Sequence, residues 1–290
     1  MNLKSDIFQI AYRIKTNTPF LYEDVNSLKD FHLIKSPCFC WAADPFPFKI
    51  NGKKYILAEI AFTISGKGRI GVVCLDDKRP KWKIISNEKF HMSFPNVVFI
   101  HDNLYILPET YQDKCLALYK IGKDFRLSKY KVLNKIDFCV DTIYIKNSFE
   151  CYFSYEAKNH LSNDFELVWR KASDASKISS IKDYKNELRP AGNIFFHHNK
   201  MLFPSQDCKY IYGGGIIFNE LLINEKEKKF SINKIFELTG NDVCKQMHIE
   251  NAVGCHTYNF NDNIEVIDIL IRRFSLLGLF YKIINRLKKN

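Results

Sequence analysis

The stretch Trp41-Ala42-Ala43-Asp44-Pro45-Phe46-Pro47-Phe48, with Asn51-Gly52 and Lys54-Tyr55-Ile56-Leu57-Ala58-Glu59 behind it, constrains this chain most. Two strand-prone runs flank a tight Asn-Gly turn, so the stretch predicts an antiparallel hairpin. Asp44 opens the first strand and Glu59 closes the second, 15 residues later. In such a hairpin those carboxylates lie side by side at the end away from the turn.

The unit then recurs. Copies run over Ser93–Glu109, Val140–Glu156, Arg189–Asp207 and Gly254–Asp268, each as strand, turn and strand. The closing acids at 59, 109 and 156 are separated by 50 and 47 residues, and Gln206 follows 50 further on. That period matches one four-stranded blade, roughly 40–50 residues long. The expected fold is all-β, a five-bladed β-propeller over residues 1–272, with the run Phe8–Ile14 completing the fifth blade. A β-sandwich built of similar hairpins has no reason to repeat the polar ends.

Composition narrows the class. The chain has 290 residues, 46% apolar and 26% charged, enough for a sizeable core. Nine cysteines, an odd number, sit mostly in apolar runs, where Cys behaves as a small buried hydrophobe. They argue against a disulfide framework and for a reducing compartment. Their spacing, with no Cys-x-x-Cys or His-x-x-x-His pair, gives no zinc set. Met1–Asp6 shows no secretory pattern, so a cytoplasmic location is expected.

The net charge is +11, but Arg272, Arg273, Lys282, Arg286, Lys288 and Lys289 follow the last acid, Asp268. The body is left with +5, which calls for no nucleic acid. Within 273–290, Leu276, Leu279, Phe280, Ile283 and Leu287 fall at helical spacing among basic residues. The run is too short to span a bilayer. It suits a basic amphipathic C-terminal helix on an anionic membrane surface, peripheral on the inner face. A helix packed on the propeller rim is the alternative.

In a propeller the repeated polar ends converge at one mouth. Asp44, Asn96, Asp141 and His256 then start inner strands, and Glu59, Glu109, Gln206 and Asp207 end neighbouring ones. Such a ring suits a sugar or another polar metabolite, and paired carboxylates can divide acid and base work. Asp44 stands out because Trp41, Pro45 and Phe46 surround it with apolar bulk. His91 can reach the same mouth, Arg189 can clamp a carboxylate or phosphate, and Tyr212 can stack on a sugar face. Glu156 reads better as a turn cap, and His101, His197 and His198 as solvated turn residues. The triple Gly213-Gly214-Gly215 reads as a bulge or close backbone approach, not a phosphate loop.

Several motifs in order, Trp41-Ala42-Ala43-Asp44-Pro45-Phe46, His91-Met92-Ser93-Phe94-Pro95-Asn96-Val97, Leu107-Pro108-Glu109-Thr110, Arg189-Pro190-Ala191-Gly192, Gln206-Asp207 with Tyr212-Gly213, and His256-Thr257-Tyr258-Asn259, carry a resemblance. Over roughly residues 38–260 the chain resembles the N-terminal domain of the glucosamine inositolphosphorylceramide transferase family and its bacterial relatives. That domain is similar to five-bladed arabinanase- and fructosidase-like propellers. The resemblance implies an Asp base or nucleophile on the first inner strand, matched by Asp44, and a supporting third-blade Asp, matched by Asp141. It also implies a Glu on the fourth inner strand, where Ala191-Gly192 stand instead. Glu109 is the substitute, with Asp207 behind it.

The leading expectation is a glycosyltransferase or related enzyme of bacterial surface-polysaccharide assembly. Asp44 is then the base, Glu109 or Asp141 assists, and Glu59, His91, Asn96, Arg189, Gln206, Asp207, Tyr212 and His256 hold a sugar donor and a glycan or lipid-linked acceptor. No Asp-x-Asp occurs, so neither metal nor other cofactor is expected. The alternatives are an inverting glycoside hydrolase, with carboxyls roughly 6.5–9.5 Å apart, and a non-catalytic glycan-binding propeller.

Overall fold

A computed structural model describes residues 4–16, 18–101, 103–145, 150–159 and 161–274. Strands β1 (Lys4–Ile14) and β2 (His32–Leu33) come first in the chain but belong to the last sheet. The first complete blade is β3 (Cys40–Ile50), β4 (Lys53–Phe62), β5 (Gly68–Cys74) and β6 (Lys83–Ile84). The second is β7 (Ser93–Ile100), β8 (Asn103–Glu109), β9 (Cys115–Ile121) and β10 (Leu127–Lys135). The third is β11 (Cys139–Ile145), β12 (Cys151–Glu156), β13 (Glu166–Lys171) and β14 (Lys177–Lys182). The fourth is β15 (Phe195–His197), β16 (Lys200–Asp207), β17 (Gly215–Asn224) and β18 (Lys229–Thr239).

The fifth blade takes both chain ends. Strands β19 (Ala252–Gly254) and β20 (Tyr258–Asn261) flank the axis, and β21 (Ile264–Phe274) pairs with them and with β1. The β1–β21 ladder runs unbroken from Lys4↔Phe274 to Ile14↔Ile264, and β2 completes the sheet outside. The expected closure by the N-terminal strand holds. Arg13 braces the far end of that seam. Its Nε donates to Glu265 Oε2 at 2.6 Å, and Glu265 Oε1 accepts from the Tyr258 hydroxyl and the Leu21 amide. With both charges at most 2% exposed, removing one would strand the other, at roughly 3–5 kcal/mol.

Adjacent blades bury apolar faces against one another. Phe46, Phe48, Phe94, Phe153 and Phe203 are fully enclosed in the largest cluster, each contributing roughly 1.5–3 kcal/mol of burial. The first hairpin turns as its sequence dictates, with Asn51 at φ 51° and Gly52 at φ 75°. Prolines 45, 47 and 95 are tolerated because inner strands are edge strands and need no donor toward the axis.

Two expectations change. Arg273 and Phe274 end β21, so the boundary at 272/273 falls inside a strand, and residues 275–290 of the basic amphipathic helix lie outside the described residues. A helix that the repeat did not anticipate, α1 (Gly240–Met247), joins β18 to β19, held by a capping box between Thr239 and Asp242.

Candidate active site

Three inner strands carry the same distortion. Register jumps between Ala43 and Phe46, Ser93 and Asn96, and Val140 and Ile143, each placing two residues opposite one on the neighbouring strand. The first residue of each bulge is left-handed: Asp44 at φ 52°, Phe94 at φ 43° and Asp141 at φ 45°. Such φ values cost a non-glycine residue about 1–2 kcal/mol, least for Asp and Asn. A bulge re-aims its side chain, and here Asp44 and Asp141 are brought close enough to interact electrostatically, both nearly completely buried.

Asp44 is held from three sides. Its Oδ1 accepts from Thr257 Oγ1 at 2.9 Å, its Oδ2 accepts from the Phe94 amide at 3.1 Å, and its own amide donates to Asp268 Oδ2 at 3.0 Å. His256 Nε2 stands 3.4 Å from Asp44 Oδ1. The ring stacks on Phe8, with centroids 4.2 Å apart, and its Nδ1 lies 2.7 Å from Asp268 Oδ2 but off the line of a hydrogen bond. Burial pushes the Asp44 carboxyl up to about 6, reinforced by Asp141 and Asp268 and opposed by His256 and Thr257. For His256 burial opposes the charge, but Asp268 and Asp44 outweigh it and raise the imidazolium above its usual range.

Asp141 faces blade four. Its Oδ2 accepts from Arg189 Nε at 2.5 Å and from Gln206 Nε2 at 3.0 Å. Arg189 also reaches Glu109, with Nη2 3.7 Å from Oε2, and lies over the Tyr212 ring at 5.0 Å. Burial and the neighbouring Asp141 hold Glu109 well above the carboxylate range despite Arg189. Arg189 and the half-exposed Tyr212 are the members of this group open to solvent.

Glu59 is the most isolated acid. It is 5% exposed, and its Oε1 has no hydrogen-bond partner among the described residues. His91 Nε2 stands 3.5 Å away, too long for a formed bond. The Gly68 amide donates to His91 Nδ1 at 3.0 Å, which places the ring proton on Nε2, facing Glu59. Burial, then Asp44, Glu109 and Asp141, raise Glu59 well above its ordinary range, and burial lowers His91. Both shifts favour the neutral forms, an uncharged imidazole beside a carboxyl that holds its proton to higher pH than a free one.

The structure thus brings Asp44, Glu59, His91, Glu109, Asp141, Arg189, Gln206, Tyr212 and His256 together. It does not bring in Asp207, which turns away to accept from the Lys209 amide at 3.0 Å and faces Glu237. Asn96 is also redirected. It is fully buried, its Oδ1 accepting from the Tyr144 amide at 3.0 Å and its amide donating to Asn193. Asn193 in turn takes Asn259 Oδ1 on its backbone amide, and Asn259 donates to Pro45 O at 2.8 Å. This circuit links the inner segments of all five blades, so Asn96, fully buried, holds the ring and is closed off from solvent. Glu156 is one residue out of phase: Tyr155, not Glu156, occupies the register of Glu59 and Glu109. A one-residue slip reverses the face, and Glu156 pairs with Arg170 through two bonds of 2.7 Å.

Asp268 and Thr257 also belong to the site, although the sequence reading did not assign them to it. Asp268 takes the amides of Asp44, His256 and Thr257 on its two oxygens, fixing all three. The signal was present, since Asp268 closes the fifth hairpin as Glu59 closes the first. Donor atoms of Asp44, His256 and Asp268 lie within 4.8 Å of one another and could converge on a cation. Their oxygens already accept N–H and O–H groups, and the raised imidazolium opposes a second positive charge, so the set fits an anchored base better than a metal centre.

The family defined by the N-terminal part of glucosamine inositolphosphorylceramide transferase 1 matches residues 34–256. The chain belongs to this family. The transferase of that name from Oryza sativa subsp. japonica is 25% identical over 214 residues, 67% of this chain and 28% of that protein. The Arabidopsis thaliana protein of the same name is 26% identical over 215 residues, 68% of this chain and 27% of its own length. The chain therefore spans little more than a quarter of these transferase relatives. Among solved structures, CoXyl43, a GH43 β-xylosidase/α-arabinofuranosidase from a compost metagenome, superposes with a TM-score of 0.51 at 8% identity. The match covers 81% of this chain and 91% of that one, and it shows a shared fold.

The stretch Ala191-Gly192, where the resemblance implied a Glu, is closed for a steric reason. A Cβ on Gly192 would lie 1.9 Å from the Tyr258 carbonyl oxygen, so the fourth inner strand has no room for a Glu at that position.

Proposed function

We propose that this propeller is a carbohydrate-active enzyme that transfers a sugar to a glycan or lipid-linked acceptor, with Asp44 as general base. The observation that carries the reading is Asp44 itself, a buried carboxylate on a strained bulge, held by Thr257, Phe94 and Asp268 and raised to about 6. Such a group is ionised at neutral pH yet basic enough to take a proton. The acceptor oxygen attacks the anomeric carbon, the bond to the leaving group breaks, and the hydroxyl proton passes to Asp44. Arg189, over Asp141 and Glu109, offers its exposed edge to an anionic leaving group, with Tyr212 beside it. The transferase names of the relatives support this reading.

A second reading, an inverting glycoside hydrolase, draws support from Glu59. A carboxyl whose proton is held above its ordinary range beside Asp44 offers the division of labour that an acid–base pair needs. Turnover of nucleotide-sugars and of free glycans separates the two. A transferase consumes the donor only with acceptor present, whereas a hydrolase cleaves the glycan alone. In either case the rate should rise with pH through about 6 as Asp44 ionises, and Asp44→Ala should lose about 10²–10⁴-fold. If Asp44→Ala keeps wild-type turnover, Asp44 is not the base; if neither activity is found while a glycan still stabilises both proteins, the chain is a glycan-binding propeller.

The membrane expectation belongs to this proposal. Beyond Asp268, β21 runs to Arg273, which lines a cavity of about 330 Å³ with Phe8, Lys35, Phe39 and Trp41. Phe8 stacks on His256, so the chain reaches Phe274 on the mouth side. The basic sequence that follows would hold the mouth against an anionic inner leaflet, where a lipid-linked acceptor lies.

A further inference from the structure

On the face opposite the mouth, a second cluster forms where the segment between β1 and β2 crosses blade four. His198 and Asn199, at φ 48° and 61°, are the two central residues of the β15–β16 hairpin, a type I′ loop closed by the pair His197↔Lys200. The turn puts two imidazoles next to each other, with ring centroids 3.9 Å apart. Glu23 meets them from the crossing segment. Its Oε2 accepts from the Phe20 amide at 2.8 Å, which fixes the carboxylate and leaves Oε1 directed at the rings. Oε1 lies 3.5 Å from His197 Nδ1 and 3.4 Å from His198 Nε2.

We infer that Glu23, His197 and His198 form a binding site for a divalent transition metal, with Zn²⁺ the best match. One donor atom from each residue lies within 4.8 Å of the other two. Metal–ligand bonds of 2.0–2.2 Å in a tetrahedron put neighbouring ligand atoms about 3.4 Å apart, which is the spacing seen from Oε1 to both rings. Two imidazoles and a carboxylate are borderline donors of the kind zinc takes, and a water would complete the shell. Two groups compete with the ion. The Tyr22 hydroxyl, raised to about 12 by burial, contacts His197 Nδ1 and must yield to it, and Lys15 adds positive charge nearby. The site joins two parts of the ring that no ladder among the described residues connects, so metal would fasten the closing segment to blade four.

The experiment is a zinc titration of the untagged, chelator-stripped full chain, followed by calorimetry and melting temperature, with Co²⁺ absorption as a geometry readout. Wild type should bind one more equivalent than His198→Ala or Glu23→Gln, show tetrahedral Co²⁺ bands that both variants lose, and melt higher with zinc. His198 is largely exposed, so its loss leaves the fold intact. Equal stoichiometry in wild type and variants would place the zinc elsewhere on the chain and overturn the inference, as would no binding at all.

Discussion

Glu59 shows how a single residue trades stability for chemistry. Its folded-state carboxyl lies well above the unfolded one, so the native state takes up a proton that the unfolded chain releases. That contribution is full at low pH and is lost as pH rises through the folded value. Glu59→Gln keeps the shape and removes the charge. Relative to wild type it should be neutral at pH 4 and more stable by about 1–2 kcal/mol at pH 8, in paired chemical denaturation curves. A variant less stable than wild type at pH 8 would mean that the ionised carboxylate is compensated by a partner. Glu59 was legible in the sequence as a repeated strand end, but its isolation was not. The His91 ring comes from the connection to the second blade, Glu109 from that blade, and Asp44 is turned toward Glu59 by the bulge in its own blade.

At the scale of the element, the bulges decide what the inner strands present. Asp44 and Asp141 were legible as polar residues at strand starts. Nothing local announced that both would be left-handed, because φ at these positions is imposed by register against β4 and β12. The same limit explains Asn96 and Asp207. Alternation along a strand gives two faces, and only the packed neighbour says which face is the site. Blade four breaks the pattern at Gly192, whose φ of 151° and contact with the Tyr258 carbonyl admit no side chain. Gly192→Ala should cost about 3 kcal/mol through overpacking and backbone strain. Gly52→Ala, also at positive φ but with nothing within 4 Å, should cost only about 1 kcal/mol. Melting of the two variants side by side checks this, and equal losses would refute the steric account of the missing fourth-blade acid.

For the whole molecule, the β1–β21 ladder makes a ring of five blades and sets both ends of the described chain beside the mouth. If the basic sequence after Phe274 holds that mouth to a membrane, the full chain should sediment with anionic vesicles and not with zwitterionic ones. The binding should weaken with salt and disappear when the chain is cut after Phe274. Equal sedimentation by the truncated chain would move the contact to the propeller itself, and sedimentation of neither would remove the membrane from the proposal.

The sequence by itself determined the architecture, because a repeat near 50 residues built from alternating apolar strands and tight turns has few ways to bury its faces. It also determined which chemical types crowd one end of the ring, since hairpins return their ends to the same side. Only the tertiary structure decided which of those groups meet. Charge interactions, unpartnered oxygens and shifted protons depend on distances between blades, and residues such as Asp44, Glu109 and Asp268, far apart in sequence, acquire their environment only when the ring closes.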